Sequence, residues 1–105
     1  MRKLSLGLIA PLALAGAFAA APAAAQDELT IASSMPALEF PFFVHMQKEL
    51  REEAEALGGI TLIETDGENS APKQTADVEA AITQGVDGII ISPIDTVAMA
   101  PVLQQ

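Results

Sequence analysis

Gln84-Gly85-Val86-Asp87-Gly88-Ile89-Ile90-Ile91-Ser92-Pro93 is the stretch that decides how this chain folds. Three successive β-branched residues, bounded by Gly88 and by Ser92-Pro93, read as a short strand. An unbroken Ile run marks a strand buried on both faces, as in parallel sheets covered by helices. Parallel neighbours cannot be joined by hairpins and need helical crossovers. The flanking sequence should therefore alternate helix and strand.

It does so in both directions. Upstream, a helix is expected from about Pro72 to Gln84, with Thr75, Val78 and Ile82 as its apolar stripe, Ala81 alongside, and Gly85 as its stop. Before it, Ile60-Thr61-Leu62-Ile63-Glu64-Thr65 reads as a strand, with Asp66-Gly67-Glu68-Asn69 as the turn that follows. Further back, Phe43, Met46, Leu50, Ala54 and Leu57 step by three or four residues along a helix from Pro41 to Leu57. Pro41 suits its first position and Gly58-Gly59 its end. Lys48, Glu49, Arg51, Glu52, Glu53 and Glu55 form its solvated face. Leu29-Thr30-Ile31-Ala32-Ser33-Ser34 supplies the first strand. Downstream, a third helix should follow Asp95, with an irregular first turn or a start nearer Pro101, which would break a helix interior. The fold class is α/β, a parallel sheet in βαβαβα order with right-handed crossovers.

The whole chain has 105 residues, 5 basic and 14 acidic side chains and a formal charge of −9, with hydrophobic residues at 50%. Those totals mix two segments. Residues 1–25 hold Arg2 and Lys3, no acid, and an uncharged run from Leu4 to Ala21, closing on Pro22-Ala23-Ala24-Ala25. A basic start, an apolar middle and a small-x-small close describe a cleavable secretory signal peptide. A membrane anchor is the competing reading. Pro11, Gly16 and the Ala-rich tail weaken it, and no basic stop-transfer cluster follows. Without a Cys at the cleavage site the segment does not make a lipoprotein. Residues 26–105 are then an exported, soluble portion, most simply periplasmic, with three basic against 14 acidic side chains. That balance argues against a nucleic-acid partner, which demands basic patches. With no Cys and one His, thiolate metal sites, disulfides, cysteine nucleophiles and His-rich centres are excluded. No cofactor or metal is expected.

In parallel α/β sheets ligands bind beyond the carboxyl ends of the strands. That rule selects residues 33–43, 66–70 and 92–96. The first segment, Ser33-Ser34-Met35-Pro36-Ala37-Leu38-Glu39-Phe40-Pro41-Phe42-Phe43, holds three of the chain's four Phe. One helix stripe cannot bury them all; Phe43 suits the core, and Phe42 or Phe40 the cleft. Apolar rings stack on the C–H faces of sugars while carboxylates and amides bond the hydroxyls. Glu39 can accept from vicinal hydroxyls or simply sit at a helix dipole. Ser34 can bond a ligand or merely end its strand. Asp66 and Asn69 are turn formers. Asp95 suits an N-cap and can line the cleft as well. His45 reads as a surface residue.

Enzyme templates fit poorly. Ser33-Ser34-Met35-Pro36 stands where a Gly-rich phosphate loop would be, hydroxyls end strands where a phospho-acceptor domain needs acids, and no Ser/His/acid set is evident. No catalytic residue is assigned.

Phe40-Pro41-Phe42-Phe43-Val44, Glu53-Ala54-Glu55-Ala56-Leu57-Gly58, the Gln84–Pro93 stretch and Ile94-Asp95, in this order behind an export signal, resemble the ribose-type (type I) periplasmic sugar-binding proteins, the soluble receptors of ABC sugar importers. The resemblance implies two α/β lobes joined by a three-stranded hinge that closes on a sugar, of which this chain supplies only the first three βα units. It implies that Phe42 and Phe43 stack on the ligand, with a further polar contact near Ser92 or Asp95. Where the family commonly has Asn before the Pro, this chain has Phe40, and Glu39 takes over the polar role. The resulting ligand set is Ser34, Glu39, Phe42, Phe43 and Asp95, the ligand a monosaccharide-like small molecule, and the partner of the full-length protein an ABC permease at the inner membrane. The alternatives are an exported receptor of the same fold for chemotaxis or quorum signalling, and a fragment of an exported flavodoxin-like α/β enzyme.

Overall fold

A computed structural model of the chain describes Gly7 and residues 27–105. The export-signal expectation for residues 1–25 lies, Gly7 apart, outside the described residues. The remainder runs β1 (Leu29–Met35), α1 (Pro41–Leu57), β2 (Ile60–Asp66), α2 (Ala71–Gln84), β3 (Gly88–Ile91) and α3 (Ala100–Leu103). All strands are parallel in the order β2-β1-β3, with Leu29 opposite Ile60 and Ile31 opposite Gly88.

That order follows from two crossovers in opposite directions. The first carries the chain from β1 to one neighbour, and the second carries it back past β1 to the other side. The helices consequently lie on opposite faces. Ser33 meets Gln47 of α1, whereas Ser34 meets Gln74 of α2, as the alternation of side chains along a strand requires. β1 is central, and Ala32, Ser33, Ser34 and Met35 are all buried, so small residues suit it.

The stops are chemically plain. Gly85 caps α2 at φ 74°, in the left-handed region, and Gly58 leaves α1 at φ 69°. Pro occupies the first turn of both helices, and the Ser70 hydroxyl accepts from the Lys73 N–H at 3.3 Å. α3 starts at Ala100 with Pro101 in its first turn, the later start that Pro101 demanded. At the amino edge, Asp87 brackets β1. Its backbone N–H donates to the Thr30 carbonyl, and its carboxylate accepts from the Thr30 N–H, both at 2.8 Å.

Three expectations are corrected. β3 is not covered on both faces: Ile89 and Ile91 pack toward Val78, Met99 and Val102, but Ile90 is 43% exposed. The reason is topological, because α1 lies over β1 and β2 and leaves β3 bare on that face. The buried line of α1 runs through Gln47 and Ala54 while Leu57 is exposed. That of α2 runs through Gln74, Val78 and Ala81, turned by one residue from Thr75 and Ile82.

Both buried glutamines have partners for amide oxygen and amide nitrogen, as burial of an amide requires. The Gln47 carbonyl accepts from the Ser33 hydroxyl at 2.8 Å and its amide donates to Glu64 at 2.7 Å. Arg51 closes this network by donating to both Glu64 oxygens at 2.6 and 3.2 Å. The guanidinium holds the Glu64 carboxyl below the usual carboxylate range, with the Gln47 amide adding to it and partial burial opposing. Among the described residues, no buried side-chain nitrogen or oxygen lacks a partner.

Candidate ligand-binding face

Strand order reverses between β1 and β3, and beyond the carboxyl ends of strands at such a switch point open α/β sheets receive ligands. The three segments singled out from the sequence meet at this edge, and specific bonds tie them together. The Gly67 N–H donates to the Met35 carbonyl at 2.8 Å and the Asn69 N–H to the Pro36 carbonyl at 2.9 Å. The Asp66 carboxylate accepts from the N–H groups of Leu38 (3.1 Å) and Glu68 (2.9 Å), so it stitches the first segment to the second. Lys73 reaches from α2 to the Asp66 carbonyl at 2.5 Å and to Asp77 at 3.0 Å. Its neighbours raise the Lys73 pKa, the bond to Asp77 most of all. On the β3 side, the Ser92 N–H donates to the Ser34 carbonyl at 3.1 Å.

The aromatic residues behave as two kinds. Phe42 is 66% exposed, while Phe43 is half-buried, and the two rings meet edge to face with centroids 5.1 Å apart. Phe40, also exposed, provides the N-cap backbone of α1; its carbonyl accepts from the Phe43 and Val44 N–H groups. Glu39 is exposed and lines an open depression of about 240 Å³ with Ala37, Leu38, Asp66 and Glu68. Backbone at Glu68 and Asn69 is left-handed, at φ 50° and 56°, which turns the second segment back toward α2.

Asp95 is exposed, and one of its carboxylate oxygens accepts from the Val97 and Ala98 N–H groups, each at 2.9 Å. It therefore caps the turns ahead of α3 rather than the helix itself, and its second oxygen has no partner among the described residues. Ser34 is different. It is buried, and its hydroxyl accepts from the Gln74 amide at 3.2 Å, so it lies beneath the rim. Four of the five residues read from the sequence thus stand at or near the surface, and the fifth, Ser34, is buried. Sequence reasoning did not single out Gln74 or the close approach at Gly67. A recess beneath α1, lined by Ile31, Leu50, Ala54, Leu57 and Ile90 among others, is almost wholly apolar and presents few hydrogen-bonding groups.

A doubly wound α/β unit with aromatic rings and carboxylates at the carboxyl edge of its parallel sheet defines the class of fold. The family is more particular. Residues 31–105 match the model of the periplasmic binding protein domain, and the chain belongs to that family of solute-binding receptors. The chain is 39% identical over 79 residues to the ribose import binding protein RbsB of Bacillus subtilis, covering 75% of this chain and 26% of that one. It is 33% identical over 67 residues to a putative rhizopine-binding protein of Rhizobium meliloti, covering 64% and 22% of the two. Among solved structures, the Caulobacter myo-inositol binding protein bound to myo-inositol superposes with a TM-score of 0.65 at 32% identity, over 76% of this chain and 27% of that one. A galactofuranose binding protein gives 0.67 at 33% identity, over 72% and 25%. The chain spans about a quarter of the length of the curated relatives it matches.

Proposed function

We propose that residues 27–105 form the first part of the sugar-binding lobe of a periplasmic receptor that serves an ABC importer, and that the receptor is a binding protein, not an enzyme. The observation that carries this is the Phe42–Phe43 pair. One ring is open to solvent, the other anchors it edge-on, and Glu39 precedes them on the same loop. Such a pair presents an apolar plate to sugar C–H groups and leaves carboxylates to accept from the hydroxyls. Glu39 and Asp95 are the proposed acceptors, Phe42 and Phe43 the stacking surface, and Ser34 the support beneath them. Ribose and inositol relatives support a monosaccharide or cyclitol ligand. The family and the signal-like residues 1–25 support export to a periplasm. A second lobe would supply the remaining hydroxyl partners, and its hinge closure would report occupancy to the permease.

Calorimetric titration of the complete receptor against pentoses, hexoses and cyclitols tests this. One of them should bind saturably, and Phe42→Ala should weaken it by about tenfold, the size expected for one lost aromatic contact. Failure of every sugar to bind, or an unchanged Kd in Phe42→Ala, would overturn the reading.

A further inference from the structure

Gln74 sits in the fourth position of α2 with no exposed surface. A methionine would fill much the same volume, so packing alone does not call for an amide. The amide is used fully. Its nitrogen donates to the Ser92 carbonyl at 2.9 Å and to the Ser34 hydroxyl at 3.2 Å, and its oxygen accepts from the Ile94 N–H at 2.9 Å. The same side chain backs the second segment: a Cβ built on Gly67 would lie 3.2 Å from the Gln74 Cβ. One residue therefore bonds the first and third segments that leave the carboxyl edge and backs the second, at the place where strand order reverses between β1 and β3.

The segment it holds has few other attachments. β3 ends at Ile91, and beyond the Ser92 bond to Ser34 the extended ladder gives no further support. Gln74 grips the carbonyl before Pro93 and the N–H after it, and Asp95 is the next residue. On the other side of Gln74, Ser34 begins the segment that leads to Glu39, Phe42 and Phe43.

We propose that Gln74 is the positioning residue of the ligand face, and that it sets the spacing between Asp95 and the Glu39–Phe43 loop and thereby the receptor's choice among sugar epimers. This rests on the sugar reading above. It goes further in assigning selectivity to a side chain that never meets the ligand. Because hydrogen-bonded acceptors discriminate between epimers only when their spacing is fixed, loosening the spacing should level the affinities rather than merely lower them.

The test uses the complete receptor with Gln74→Met, which keeps the volume and removes every bond, and Gln74→Glu, which keeps the acceptor for Ile94 and loses the donor to Ser34 and Ser92. Two readouts are taken. The first is the ratio of Kd values between the best sugar and its epimers, which should shrink by about tenfold or more in Gln74→Met and less in Gln74→Glu. The second is the distance distribution between spin labels on Val44→Cys and Val97→Cys, both at exposed positions, in a receptor whose other cysteines, if any, are replaced by Ser. It should be narrow with Gln74 and broad with Met. Should the Met variant not fold, the Glu variant carries both readouts. Folded variants with an unchanged epimer ratio and an unchanged distance distribution would overturn the assignment. A receptor with Gln74 intact that binds no sugar would instead overturn the sugar reading, and the label distances would still decide whether Gln74 sets the spacing.

Discussion

Gly67→Ala tests how tightly the first two loops of the ligand face are fitted together. A Cβ at this position would stand 2.8 Å from the Pro36 carbonyl oxygen, 3.1 Å from that of Met35 and 3.2 Å from the Gln74 Cβ. The φ of Gly67 lies outside the left-handed region, so the demand is for space and not for conformation. Two of the three neighbours are backbone, and no rotamer change relieves them. Overpacking of this kind costs about 1–3 kcal/mol. Replacing Gly also restricts the unfolded chain, which returns about 0.4–1 kcal/mol. The net expectation is a loss of roughly 1–2 kcal/mol, or a Tm lower by roughly 5–15 °C for a domain of this size. Far-UV circular dichroism of the chain during thermal and urea unfolding measures it. Gly88→Ala is the control, since its Cβ would meet only the tip of Ile31, at 3.1 Å, and a flexible side-chain end can move aside. Equal stability of the two variants would refute the claim that a backbone contact at Gly67 clamps the loops.

Asp87→Ala removes the side-chain acceptor for the Thr30 N–H and should cost about 1 kcal/mol, with faster hydrogen exchange at Thr30 as the local signature. Glu64 supplies a pH dependence. Its folded pKa is depressed, chiefly by Arg51, so its contribution is present above the ordinary carboxylate range and is lost as pH falls through the lowered value. Glu64→Gln should flatten that acid limb in urea titrations between neutral and acid pH, and an identical acid limb in both proteins would count against the network. Ile90 stands exposed on the bare face of an edge strand, so Ile90→Lys should reduce self-association of the chain in sedimentation measurements.

Much of this architecture is legible in the sequence. The Ile run, the Gly stops and the Pro starts are local signals, and local signals place elements well. The edge proposed for the ligand is legible too, because a parallel sheet offers one set of loops beyond its carboxyl ends and Phe40, Phe42 and Phe43 crowd into one of them. Gln47 and Gln74 were not. In an apolar stripe a glutamine reads as a step toward solvent, and only the tertiary fold shows that Ser33, Ser34, Ser92 and Glu64 wait beneath with partners for its amide. Ile90 misled for the same reason in reverse: the run predicts burial on both faces, whereas which face a helix covers depends on the order β2-β1-β3. The depth of Ser34 is not legible in the sequence either: alternation along β1 turns its hydroxyl inward to Gln74 of α2.

Magnetisation transfer between a bound sugar and ring protons tests the central claim most directly. In the complete receptor, with the Phe42 and Phe43 rings assigned, nuclear Overhauser contacts should run from sugar C–H protons to Phe42 first and Phe43 second, and should vanish for the Phe42 position in Phe42→Ala. Contacts running instead to Ile31, Leu50 or Ile90 in the recess beneath α1, or a tightly bound sugar with none to either Phe ring, would contradict a ligand face at the carboxyl edge of the sheet.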